Sequence, residues 1–68
     1  MNHHHNVYVV RTRTVQGARA SFSMVAVFTA EKYARNYIRC SRRENPGAVY
    51  IVDRYNGHTG KFVEEITS

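Results

Sequence analysis

The sequence predicts an α+β fold of ββαββ order: a mainly antiparallel four-stranded sheet with one helix packed on one face. Three observations carry this expectation. Thr29–Arg43 places Ala30, Tyr33, Ala34, Tyr37, Ile38 and Ser41 at the i, i+3, i+4 spacing of a helix with one buried stripe. Val7–Thr14 and Ser21–Phe28 before it, and Ala48–Arg54 and Lys61–Ile66 after it, are rich in β-branched and aromatic residues. Turn-forming residues separate the members of each pair: Gly17 in the first, Tyr55-Asn56-Gly57-His58-Thr59-Gly60 in the second.

Taken in order, Met1–Asn6 reads as a flexible start containing His3, His4 and His5. Consecutive histidines enclose one ion poorly, so no metal function is expected of them. Residues 7–68 form the single domain. In Val7–Thr14, alternation sets Tyr8, Val10, Thr12 and Thr14 against Val7, Val9, Arg11 and Arg13. Val15–Ala20 reads as a connecting loop longer than a tight two-residue turn, with Arg19 exposed. In Ser21–Phe28 the bulkier set, Phe22, Met24, Ala26 and Phe28, is expected beneath the helix. Ser21, Ser23, Val25 and Val27 then face away.

The helix itself is expected to start at a Thr29 N-cap, whose hydroxyl accepts a first-turn amide, with Glu31 complementing the dipole. Its polar face carries Lys32, Arg35, Asn36, Arg39, Arg42 and Arg43, and Asn45-Pro46-Gly47 stops it. In Ala48–Arg54, Val49 and Ile51 are set inward and Tyr50, Val52 and Arg54 outward, with the reverse register left open. Lys61–Ile66 pairs back as a shorter strand, Phe62 and Ile66 on one side and Lys61, Val63 and Glu65 on the other. Either hairpin can supply the central strands.

A chain of 68 residues makes one domain and buries roughly 60% of its unfolded surface, which leaves little room for a deep substrate cleft. Its 43% hydrophobic and 12% aromatic content argues for a folded domain rather than disorder. No apolar run approaches the ~20 residues that span a bilayer, and no secretory segment is visible, so a soluble cytoplasmic protein is expected. Cys40 is the only cysteine and permits no internal disulfide. Beside the apolar stripe, it reads as a half-buried small residue. Ten Lys and Arg against five Asp and Glu give a net charge of +5, which favours acidic partners such as nucleic acid or an acidic protein surface.

No catalytic constellation is expected. Glu31, Glu44, Asp53, Glu64 and Glu65 form no recognisable acid-base pair, and no Ser-His-Asp or Cys-His order is present. Gly57-x-x-Gly60-Lys61 lacks the spacing, the following Ser or Thr and the helix of a phosphate loop, and reads as a hairpin turn. No cofactor is implied. Two binding readings compete. Arg35, Arg39, Arg42 and Arg43 on the helix, with Arg11, Arg13, Arg54 and Lys61 on the sheet, offer phosphate contacts for a nucleic-acid-binding protein or small regulator. Alternatively, one helix covers only one sheet face, leaving Val7, Val9, Val25, Val27, Tyr50 and Val52 as an apolar face rimmed by arginine. Such a face suits a protein partner or a second copy in a homodimer. The second reading leads.

The succession VYVV, VFTAEKYARNYI and VYIVDRY, from Val7 onward, resembles small uncharacterised ββαββ proteins of bacteria and phages. That resemblance implies the same fold and a phage or mobile-element setting, with action in the host cytoplasm. An accessory or inhibitor role, of anti-defence or anti-CRISPR-like type, would suit it. It assigns no catalytic or binding residue.

Overall fold

β-rich segments on either side of one amphipathic helix dictate a sheet with a single covered face. The computed structural model, which describes residues 5–67, shows this arrangement. Strands β1 (Asn6–Gln16) and β2 (Arg19–Phe28) precede helix α1 (Glu31–Glu44), and β3 (Tyr50–Asn56) and β4 (Phe62–Thr67) follow. Neighbouring strands are all antiparallel and the order is β2-β1-β3-β4. The first strand of each hairpin is therefore central. Helix α1 returns over the sheet from the end of β2 and delivers the chain to the open edge of β1. There the Val49 carbonyl accepts hydrogen bonds from Arg13 N at 3.1 Å and Thr12 Oγ1 at 3.2 Å.

Beneath the helix, Tyr8 and Val10 of β1 and Val52 of β3 meet Ala34 and Ile38 of α1 in a buried core. Ala26, Phe28, Tyr37, Tyr50 and Ile66 close around it, and the Phe28 and Tyr37 rings lie 5.6 Å apart. Tyr50 and Val52, expected on the open face, are thus on the helix side. The register explains the correction: Thr12 pairs with Tyr50 and Val10 with Val52, and cross-strand partners share a face. Ile51 and Asp53 point outward instead.

Two irregularities redirect larger side chains. Val10 pairs with Ala26 but Arg11 pairs with Met24, so Val25 is an extra residue in β2. Such a β-bulge reverses alternation beyond it. Ala26 and Phe28 stay under the helix as expected, whereas Met24 and Phe22 turn to the opposite face beside Arg11 and Arg13. In β4 the same device recurs at Val63, because Arg54 pairs with Glu64 and Tyr55 with Phe62. Phe62 and Ile66, expected on one side, therefore lie on opposite faces.

The first connection also differs from expectation. Gln16 pairs with Arg19, so Gly17-Ala18 is a tight two-residue turn. Gly17 has φ 62° and Ala18 a negative φ, the pattern of a turn with glycine first, whose twist suits a hairpin. Helix α1 begins at Ala30, an extended residue with no side-chain cap, rather than at Thr29. Its backbone carbonyl accepts from Tyr33 N at 3.2 Å and Ala34 N at 3.4 Å. The buried stripe is narrower than its spacing suggests: Tyr33 is 53% exposed beneath the Lys32 ammonium, and Cys40 is also exposed. A helix of 14 residues touches a sheet along one line, so flanking positions see water.

Candidate functional site

Alternation along four strands must leave one face of this sheet without a helix, and the bulges decide what stands on it. Its outer strand β2 presents Phe22, Met24 and Val27, which are 40%, 65% and 50% exposed. Val25, at the bulge, is exposed as well. Val7 and Val9 in central β1 share this face but are half-buried. On the far side Tyr55 and Phe62 meet edge to face with centroids 5.8 Å apart. Val7, Val9 and Val27 therefore stand where alternation predicts, and Phe22, Met24 and Phe62 are additions. Nothing local marks these switches, since valine, a good strand residue, occupies both bulges.

A charged seam crosses the middle of the face. Asp53 is 4% exposed, yet it points away from the hydrophobic core. Its Oδ1 accepts a hydrogen bond from Arg11 Nη2 at 3.2 Å, and its Oδ2 lies 2.7 Å from Arg11 Nε, as an ion-pair contact without the alignment of a hydrogen bond. Glu65 on β4 extends the seam, with Oε1 3.9 Å from Arg11 Nη2. The Arg11 guanidinium also covers the Phe22 ring at 5.5 Å from its centroid, a cation–π geometry. One arginine thus ties β1 to β3 and β4 and holds Phe22 on β2. The sequence carries no signal for this triad, because Arg11 lies 42 residues from Asp53 and still farther from Glu65.

The other basic residues expected to act together do not all gather in one patch. Arg35 pairs with Glu31 one helical turn away at 2.6 Å, and Arg39 donates to Asn36 Oδ1 at 2.8 Å. Arg54 lies on the helix side of β3 and pairs with Glu64. It is therefore separated from Arg11 and Arg13 by the thickness of the sheet. Lys61 sits in the β3–β4 turn, at the end of the sheet away from the β1–β2 turn. That turn is closed on itself: Asn56 Oδ1 accepts from His58 N and Thr59 N at 2.8 and 3.2 Å. Gly57 packs so closely on His5 that a Cβ there would lie 2.6 Å from its carbonyl oxygen. These amides are engaged in the turn, in agreement with the hairpin reading of Gly57–Lys61.

His3 and His4 lie outside the described residues. Among those described, no three His, Cys, Asp or Glu side chains gather at metal-binding distance, and no helix is long and apolar enough to cross a membrane. The architecture defines the class: an antiparallel α+β sheet with one helix-covered face and one open face. No protein-family model, curated protein sequence or solved structure matches the chain.

Proposed function

We propose that this is a non-catalytic docking protein whose open sheet face seats a partner protein in the cytoplasm, in the manner of a small accessory or inhibitor protein. One observation supports the reading most: the bulge at Val25 turns Phe22 and Met24 out of the core and lines them with Val27 along β2. Aromatic, Met and Arg side chains are the types enriched in interface centres. Arg11, held by Asp53, supplies a rigid polar element beside them.

A second copy is the simplest cover, because one face then serves both partners by two-fold symmetry. Four strands of about seven residues present a face of roughly 19 by 24 Å. Two such faces bury on the order of 900 Å2, close to the ~1,000 Å2 of the smallest specific interfaces. Self-association should accordingly be weak and reversible. Sedimentation velocity over a range of concentrations tests it, with Met24→Glu/Val27→Glu as the comparison; both side chains are exposed, so the core is spared. Wild type should sediment faster as concentration rises and the variant should stay monomeric with unchanged circular dichroism. A wild type that remains monomeric and fails to bind a hydrophobic dye would overturn the proposal.

A further inference from the structure

The two hairpins differ in length. β1 follows β3 only from Asn6 to Thr12, with one further backbone bond from Arg13. Beyond that point β1 and β2 continue alone to the Gly17-Ala18 turn, pairing Thr14 with Ser21 and Gln16 with Arg19. This two-stranded ribbon accounts for the elongated shape, 48 Å in its longest dimension against 24 and 15 Å. Its helix-side face carries Thr12, Thr14, Ser21 and Ser23, hydroxyl residues in facing pairs, with Arg19 near the tip. Helix α1 ends at the foot of the same face, since Val49 follows it closely and bonds to Thr12 and Arg13.

Charge is divided unevenly between the two ends. Arg11, Arg35 and Arg54 lie against Asp53, Glu31 and Glu64, and Glu65 adds a fourth carboxylate to that body. Arg13 and Arg19 on the ribbon and Arg39, Arg42 and Arg43 in the C-terminal part of α1 stand at the other end, where Glu44 is the carboxylate among the described residues. Most of the net +5 therefore sits at this end, and its arginines other than Arg13, which lies on the opposite face of the ribbon, belong to the corner between ribbon and helix end. We infer that this corner binds duplex DNA, the ribbon lying in the major groove and the helix-end arginines on flanking phosphates. B-DNA's major groove, about 12 Å wide, admits a two-stranded ribbon. Hydroxyls and guanidinium groups are the side chains that contact phosphates and base edges. The apolar anchors that a protein interface requires point from the opposite face, so this site is independent of the docking face proposed above.

The groove geometry sets the test. A-form RNA has a major groove too narrow for side chains to read, so duplex RNA of the same sequence is the discriminating control. Fluorescence anisotropy of the full chain with labelled duplex DNA, duplex RNA and single-stranded DNA should show the tightest binding to duplex DNA. Affinity should fall with salt, and Arg39→Ala/Arg43→Ala should lower the slope of log K against log salt by about 2, one per phosphate contact. Arg19→Ala should weaken binding more than Arg13→Ala, which points from the other face of the ribbon. Dimethyl sulfate should meet protected guanine N7 atoms in the groove. Circular dichroism checks that each exposed substitution leaves the fold intact. Equal binding to duplex RNA, unprotected N7, equal effects of Arg13 and Arg19, or no binding at low salt would each overturn the inference. An acidic protein bound in preference to DNA would do the same.

Discussion

Asp53 is a carboxylate withdrawn from water on a face that no other element covers, and Arg11 accounts for its tolerance there. Burying a charge without a partner is costly, whereas a guanidinium that donates one hydrogen bond and makes a second close ion-pair contact offsets much of that cost. Arg11 remains one-third exposed, so water still reaches the pair and its net contribution to stability is modest. Losing only one member is different. Arg11→Met should destabilise the fold by about 1–3 kcal/mol, because Asp53 then stays buried without its guanidinium. Arg11→Met combined with Asp53→Leu should cost less than the sum of the two single changes. Urea unfolding of the four proteins measures the coupling, and additive effects would show that the pair is not a unit.

At the scale of elements, α1 shows where local chemistry is complete and where it is not. Glu31 stands in the first turn, Arg42 and Arg43 in the last, and Asn45 N closes the C-terminus on the Ser41 carbonyl at 2.9 Å. The N-terminus lacks an equivalent device. Ala30 has the extended backbone of an N-cap, φ −138° and ψ 141°, but no side-chain acceptor for the free amides. Ala30→Ser should therefore stabilise the protein by about 1 kcal/mol, which in a domain this small raises Tm by roughly 4–8 °C. Calorimetry measures that shift, and an unchanged Tm would mean that the serine hydroxyl does not reach the first turn. Thr29 carries a hydroxyl one residue too early to serve.

In the whole molecule, stability is concentrated in one half. The core of Tyr8, Val10, Ala34, Ile38 and Val52 lies where α1 packs over β1 and β2, with Val52 reaching in from β3, whereas the ribbon beyond Thr12 has no helix over it. Local opening follows the density of such packing. Hydrogen exchange should be slowest for hydrogen-bonded amides in the β1–β3 ladder and fastest for those of the ribbon beyond Arg13. Uniform protection along β1 would show that the ribbon is stabilised by something other than the core. The ribbon has the adaptability expected of a segment that meets a partner, and the body has the rigidity to present it.

The element order, the helix (expected over 29–43 and found over 31–44) and the polar character of its outer side are legible in the sequence, because periodicity acts between near neighbours. The strand faces are legible only as far as alternation runs unbroken, which places Val7, Val9, Val27, Ala26 and Phe28 as expected. Beyond Val25 and Val63 it is broken, and Phe22, Met24 and Phe62 change sides. The face of β3, left open by its doubly apolar sequence, follows from pairing with β1. The β2-β1-β3-β4 order, the long ribbon and the Arg11–Asp53–Glu65 seam belong to the tertiary structure as well. Each depends on which strand meets which, and that choice is made by a helix packing across the sheet, through contacts between residues far apart in the chain.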